Sequence, residues 1–200
     1  RSKHAAEGLV QEAHQQGDIE AVVLRPVNVY GAGMKGNIAS MISLIGKGHL
    51  PPLPKVEAHI SLVGVDDLVR AVILSVNKSE AAGRTYYVTD GIRYSITEIE
   101  QAIYRAWGRK MPAWKTPRML LYGAAGLAGL LTRFVILIGL KRRAAGGISA
   151  RTYQNVVTDN LFSNEQLCEE LGFKPVCNFY EALPHVVESI DRQAWLKERE

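Results

Sequence analysis

The most constraining stretch of the sequence is an apolar run that ends abruptly in proline and glycine. Ala21-Val22-Val23-Leu24 is rich in β-branched residues and lacks the alternation of a half-exposed strand, which predicts a parallel strand buried on both faces. Pro26 has no N–H to give to a neighbouring strand, so we expect the strand to end there. Gly31 and Gly33 then allow the backbone to turn and to approach a bound molecule closely.

The segment after this strand is the first candidate for a ligand site. In open α/β sheets, ligands bind just beyond the carboxyl ends of the strands. Asn28 occupies that position in the sequence, within residues 25–33. We therefore interpret Asn28 as a candidate binding residue, with an ordinary turn residue as the alternative.

The stretch Arg25-Pro26-Val27-Asn28-Val29-Tyr30-Gly31 resembles a motif of the extended short-chain dehydrogenase/reductases, in particular the nucleotide-sugar epimerases and dehydratases. Residues 1–7, 61–68 and 170–175 agree with the same family in order and spacing. The resemblance covers nearly the whole chain. It implies an α/β fold in which the chain forms the C-terminal part of a Rossmann-like doubly wound sheet plus a smaller, mainly helical substrate domain.

The resemblance also implies a division of the chain into two domains. Residues 1–80 are expected to form the end of the Rossmann-like NAD-binding domain, with an excursion toward the substrate near 34–60. Residues 81–200 are expected to form most of the C-terminal substrate-binding domain.

Lys3 is the candidate catalytic residue. The family's catalytic motif is Tyr-x-x-x-Lys, and Lys3 matches its lysine, although its position in a first helical turn is also typical of a plain surface residue. In such enzymes the lysine binds the nicotinamide ribose. As a cation beside a phenol, it also lowers the pKa of the tyrosine. The matching tyrosine falls two positions before Arg1 and the glycine-rich dinucleotide loop further upstream, so we expect residues 1–200 alone to be an inactive fragment.

The implied cofactor is NAD, with NADP as the alternative, and Pro26 and Val27 are expected to contact it. The implied reaction begins with the tyrosine removing a proton from a sugar hydroxyl, while hydride passes to the nicotinamide and leaves a keto sugar. The parent protein thus resembles an NAD-dependent nucleotide-sugar epimerase, dehydratase or ketoreductase. Such an oxidoreductase or isomerase would act in polysaccharide biosynthesis.

Several further residues are implied to contact the nucleotide-diphosphate sugar. Asn37 is a good helix N-cap, and the positive end of the helix that it opens suits an anion, so a plain cap is the alternative reading. Ile38 follows it in the same helix start. Leu53 belongs to a proline-rich segment, residues 49–54, that cannot be a central strand and is implied to line the nucleobase pocket.

Three positions depart from the family pattern. Ala32 stands where a proline is common and Gly64 where a larger residue is common, and Ile60 is the third. Many relatives place an arginine against the phosphates where this chain has Ile60, which lowers the expected strength of diphosphate binding. His59 is the candidate substitute, although a lone histidine is more often a structural or surface residue.

Two alternative functions remain open from the sequence. A hydroxysteroid dehydrogenase-like oxidoreductase of the same superfamily fits the apolar stretch 119–140, and a non-catalytic binding protein on this fold fits the departures from the family pattern.

The stretch 119–140 contains Gly123, Gly126 and Gly129, which imitate a dinucleotide fingerprint. We expect a helix that does not bind NAD, because no acidic residue follows at the required distance. Its length would suffice for a membrane span, but Arg133 makes a buried or surface-docking helix the better interpretation. Membrane association through 119–140 is the alternative, and homodimer formation is a further expectation.

Composition sets the remaining expectations. The net charge of +4 with one dense basic run, Lys141-Arg142-Arg143, predicts no nucleic-acid partner. The two cysteines, Cys168 and Cys177, give no paired metal spacing and favour a reducing compartment, so the expected location is the cytoplasm. Asp66 or Asp67 is predicted to cap the helix that follows them.

Overall fold

The computed structural model describes residues 2–55, 57–117 and 159–197, with side chains described up to residue 192. The chain forms two compact units, each assembled from three stretches of sequence. The first unit draws on Arg1–Met34, Ser61–Tyr94 and Leu161–Ser189, and the second on Lys35–Ile60, Ser95–Asn160 and Ile190–Glu200. The excursion predicted near 34–60 falls in the second unit, and the domain division near residue 80 stays a prediction.

The described elements alternate between helices and short strands, which confirms the expected α/β class. In chain order they are α1 (Ser2–Gln15), β1 (Val23–Pro26), β2 (Asn28–Tyr30), α2 (Asn37–Gly46), β3 (His59–Gly64), α3 (Val65–Asn77), a 3-10 turn (Ser79–Ala81), β4 (Thr85–Val88), β5 (Arg93–Ser95), α4 (Ile96–Ala106), α5 (Glu165–Leu171) and α6 (Phe179–Lys197).

The pairing of β1 confirms the predicted parallel strand and its end at proline. β1 pairs in parallel with β4, from Val23 opposite Thr85 to Pro26 opposite Val88. The prediction that the strand is buried on both faces is wrong: its first three residues are half-buried and Pro26 is exposed. The reason is that β4 is the one partner strand that the described residues give to β1.

Residues 28–30, for which the sequence predicted no strand, form the short strand β2. It pairs in parallel with β3, in a second sheet of strand order β2-β3-β5. Burial increases along the strand, from exposed Asn28 through half-buried Val29 to buried Tyr30. Three residues are too few for a period-two pattern to be recognised in the sequence, which explains why the strand was missed.

The core of the first unit lies on one face of the β1–β4 pair. Tyr86 and Val88 alternate into this core from β4, and Ala71 of α3 packs there. Leu167 and Leu171 of α5 also belong to this buried cluster. Gly172, with φ of 63°, ends α5 in a left-handed conformation that glycine adopts without strain.

The predicted capping role of the paired aspartates is wrong. Gly64 is the N-cap of α3 and makes no side-chain cap, because the helix begins at Val65 and already contains both carboxylates in its first turn. Asp66 is exposed, whereas Asp67 is 2% exposed. Both carboxylate oxygens of Asp67 accept the Val176 N–H at 3.2 Å, so the residue fastens α3 to the segment before α6.

We expect Asp67→Asn to lower the free energy of unfolding by about 1–3 kcal/mol, because an amide replaces one acceptor oxygen with a donor facing a buried N–H. Asp66→Asn is the matched control, since its side chain is exposed, and its effect should stay within about 0.5 kcal/mol. Urea unfolding of both variants measures the difference. Equal stability of the two variants would contradict this role of Asp67.

Candidate active site

The predicted cofactor residues all lie in the first unit. Lys3 is exposed in the first turn of α1. Pro26 is exposed at the end of β1, and the half-buried Val27 lies between β1 and β2. The Val27 N–H donates to the carbonyl of Val88 at 3.2 Å, so this backbone donor is already used within the fold.

Arg25, the first residue of the motif 25–31, has no predicted role, but the structure gives it several contacts. Its guanidinium donates to the carboxylate of Glu7 on α1 and, at 3.1 Å, to the hydroxyl of Tyr87 on β4. The guanidinium carbon also lies 5.5 Å from the centre of the Tyr87 ring, within the range of a cation–π contact. Tyr87 in turn stacks on Phe162, with ring centres 4.7 Å apart.

Charge on Arg25 is secured by these neighbours. The hydrogen bond to Glu7, and to a smaller extent the one to Tyr87, raises the pKa of Arg25 above its already high usual value. The guanidinium therefore stays charged at any working pH. A glutamate four residues after Lys3 and an arginine at a strand end were the only sequence signals for this contact.

Tyr30, the last residue of β2, is buried and anchors the motif rather than facing a ligand. Its hydroxyl donates to the carbonyl of Cys177 at 2.9 Å. Nearby, the hydroxyl of Tyr94 donates to the carboxylate of Asp90 at 2.6 Å. Burial raises the pKa of Tyr30 and of Tyr94, so both phenols stay protonated hydrogen-bond donors.

Asp90 is the acceptor at the centre of this buried cluster. Burial raises the pKa of its carboxyl, while hydrogen bonds from Tyr94, from the Ile92 N–H and from Tyr30 act in the opposite direction. Each of these contacts is internal to the first unit. We interpret the cluster as structural, because its polar atoms already have partners within the fold.

The remaining predicted substrate residues lie in the second unit, where the predicted capping role of Asn37 is wrong. Gly36 is the N-cap of α2, and Asn37 is the first helical residue, with its side chain exposed. Gly36 has a φ of 104°, a conformation that side-chain-bearing residues rarely adopt, which explains why the turn falls there. Ile38 is half-buried in the first turn.

Leu53 is fixed in place through its backbone. Residues 49–54 form no strand, as predicted. The Leu53 N–H donates at 2.7 Å to Glu100 of α4, whose side chain is 1% exposed. Glu100 also accepts from the ammonium of Lys115 at 2.9 Å. A cavity of about 410 Å³ opens beside this contact, lined by Pro54, Lys55, Glu57, Lys115, Thr116 and Pro117.

His59 and Ile60 begin β3 with different surroundings. The His59 N–H donates to Asp159 at 2.7 Å, and the ring Nδ1 lies 3.8 Å from the same carboxylate. An anionic ligand would therefore compete with the Asp159 carboxylate for the His59 ring. Ile60 is 5% exposed, so it is a core side chain and not a group that faces a ligand.

The structure thus groups the predicted residues by unit. Lys3, Pro26, Val27 and Asn28 share the first unit, and Asn37, Ile38, Leu53 and His59 share the second. That Asn28 and Asn37 face one shared cleft stays a prediction. The predictions for 119–140 lie outside the described residues.

Comparison with known proteins supports the resemblance. Residues 1–89 match the model of the NAD dependent epimerase/dehydratase family. A UDP-glucose 4-epimerase of Vibrio cholerae is 31% identical over 58% of this chain and 35% of its own length. Short-chain dehydrogenase/reductase family 42E member 1 of Bos taurus is 31% identical over 79% of this chain and 41% of its own length.

The fold is shared with solved structures of the same class. A Bordetella bronchiseptica enzyme in complex with NAD+ and UDP superimposes with a TM-score of 0.66 at 19% identity, over 96% of this chain and 52% of that chain. The expected likeness to Rossmann-fold epimerases is thereby confirmed.

These matches place the chain among the extended short-chain dehydrogenase/reductases, with the NAD dependent epimerase/dehydratase family matching its first 89 residues. The chain spans less than half the length of the two curated relatives described above. In the part of the chain that the structure describes, no helix is long and apolar enough to cross a membrane.

We expect Glu100→Ala to speed hydrogen exchange of the Leu53 amide at least about 3-fold, because that N–H loses its buried acceptor. Gln101→Ala is the control, since Gln101 is exposed on the same helix. Amide exchange followed by mass spectrometry over residues 49–54 gives the measurement. Unchanged exchange in Glu100→Ala would mean that Leu53 is held by other contacts.

Proposed function

We propose that this chain is part of an NAD-dependent enzyme that acts on a nucleotide-diphosphate sugar by hydride transfer at a sugar hydroxyl carbon. Epimerase, dehydratase and ketoreductase are the reactions of that class. The observation that carries the proposal is the match of residues 1–89 to the epimerase/dehydratase family, which contains Lys3 and the whole motif 25–33. The Vibrio cholerae relative, a UDP-glucose 4-epimerase, supports the choice of substrate.

The residues at the end of β1 fit one end of a nicotinamide dinucleotide. Pro26 has no N–H, and the Val27 N–H is bonded to Val88, so these two residues lack free backbone donors for a phosphate. Exposed Pro26 and half-buried Val27 instead offer an apolar surface that suits the flat face of the nicotinamide ring. When bound there, NAD supplies the hydride acceptor that sugar oxidation needs, and NADP is the alternative.

The role of Lys3 follows from its charge and position. Its ammonium, exposed at the start of α1, can donate hydrogen bonds to the ribose hydroxyls of the cofactor. A cation at that place also favours the ionised form of a neighbouring phenol, so it lowers the pKa of a tyrosine base toward working pH. Asn28, which is exposed beyond Val27, is then placed to donate its amide to the substrate.

In the second unit, Asn37, Ile38, Leu53 and His59 are proposed to contact the nucleotide-diphosphate part of the substrate. The exposed amide of Asn37 provides a donor at the first turn of α2, where the helix dipole also attracts anions. Leu53, held by Glu100, provides apolar surface for a base.

A second candidate is a hydroxysteroid dehydrogenase-like oxidoreductase acting on an apolar substrate. Coverage favours the oxidoreductase part of this candidate, because the Bos taurus dehydrogenase/reductase matches 79% of this chain and the Vibrio cholerae epimerase 58%. The buried, uncharged side chain of Ile60 also provides no cation for phosphate groups.

Incubation of the full-length protein with UDP-glucose and with a hydroxysteroid separates the two candidates. An epimerase forms a new sugar without net production of NADH, whereas a dehydrogenase accumulates NADH.

In the full-length protein we expect Lys3→Met to reduce kcat by about 100-fold or more while leaving the fold intact, because methionine keeps much of the length but not the charge that activates the base. Circular dichroism checks the fold and a coupled sugar assay measures turnover. Near-normal turnover by this variant would rule out the proposed role of Lys3.

A further inference from the structure

We propose that Glu7 and Arg25 are positioning residues, whose ion pair sets the place of Lys3 relative to the cofactor end of β1. The inference rests on the proposed function for what Lys3 does, but the contact itself stands on the geometry of the first unit.

Among the residues that the structure describes, one side chain attaches the first half of α1 to the rest of the first unit. From Ser2 to Val10, Glu7 is the one side chain that is not exposed. Its carboxylate accepts from the guanidinium of Arg25. Within the described residues, this is the side-chain contact that fixes the first half of α1.

The second half of α1 has separate attachments. Gln11 donates to the hydroxyl of Thr85 at 3.3 Å, and His14 lies 3.0 Å from the carbonyl of Ile19. Loss of the Glu7 contact would therefore free the start of the helix without detaching its end.

Lys3 lies on the part of the helix that the ion pair controls. Residues four apart on an α-helix lie on the same face, one turn from each other, so Lys3 is the neighbour of Glu7 toward the helix start. Arg25 immediately precedes Pro26, the proposed cofactor contact. The ion pair therefore joins the turn that carries Lys3 to the strand end where the nicotinamide is proposed to lie.

Arg25 is itself held firmly enough to serve as a reference point. Its other nitrogen donates to Tyr87 of the neighbouring strand, and the ring of Tyr87 stacks on Phe162. An arginine can serve two acceptors at once because its planar fork carries several fixed donors, whereas a lysine has a single ammonium. The identity of the residue before Pro26 thus matters beyond its charge.

The first test measures the contact without any assay of activity. In the full-length protein, Glu7→Gln should speed hydrogen exchange of the amides of residues 6–10 at least about 3-fold. Glu12→Gln is the matched control, because Glu12 is exposed on the same helix and accepts a local hydrogen bond from Gln16, just past the helix end. Equal exchange in the two variants would overturn the proposal.

Arg25→Lys keeps the test decisive if Glu7→Gln does not fold. Lysine preserves the charge but cannot bridge Glu7 and Tyr87 in the same way, so exchange of residues 6–10 should rise by about 2-fold. Exchange identical to that of the wild-type protein would contradict the bridging role of Arg25.

The second test separates positioning from mere structural support. Glu7→Gln should shift the acidic-side pKa of the kcat/KM profile, below which the tyrosine base is protonated and activity falls, upward in the direction that Lys3→Met shifts it. A displaced ammonium no longer stabilises the phenolate. In a Lys3→Met background, Glu7→Gln should add no further shift. Faster exchange with an unchanged pH profile would show a structural role only and overturn the positioning role.

The two tests also distinguish failure of this inference from failure of the proposed function. If wild-type protein converts neither UDP-glucose nor a hydroxysteroid with NAD, the proposed function fails, and the exchange experiment still decides whether Glu7 and Arg25 hold the start of α1.

Discussion

The chain changes its strand partner at Val27, and the arrangement of the first unit depends on that change. Before Val27, β1 pairs in parallel with β4; after Val27, β2 pairs in parallel with β3. The Val27 N–H still bonds to the β4 side, so the backbone crosses between partners without leaving a buried donor unpaired. Pro26 and Asn28, the strand residues on either side of Val27, are both exposed. The residues available to a ligand are thus those of the crossing itself.

Buried polar groups hold this crossing against the rest of the first unit. Asp67 accepts backbone N–H groups from residues 176 and 177, and Tyr30 donates to the carbonyl of Cys177. The backbone N–H and C=O groups of residues 176–177 are thereby paired with two side chains, Asp67 from α3 and Tyr30 from β2. Such groups cost free energy when left unpaired in the interior, so their pairing specifies one position for the segment.

The sequence predicted those features that depend on local pattern. Parallel β1 and its end at Pro26 followed from an apolar run and a missing N–H, and the absence of strand in 49–54 followed from three prolines. The features that it did not predict depend on partners far along the chain. Spacing made Asp67 look like a helix cap because Val176 is 109 residues away. The partners of Arg25 could not be predicted because Glu7 and Tyr87 become its neighbours only in the folded unit.

The long separations of these contacts bear on how the protein is made. Arg25 must wait for Tyr87, 62 residues later, and Tyr30 must wait for Cys177, 147 residues later. Contacts that close such large loops form slowly, since the entropy of closure is lost before the contact is gained. During translation, β1 leaves the ribosome long before its partner strand exists. Its apolar residues are then open to aggregation, so production of this protein is expected to depend on chaperones and to benefit from slow synthesis at low temperature.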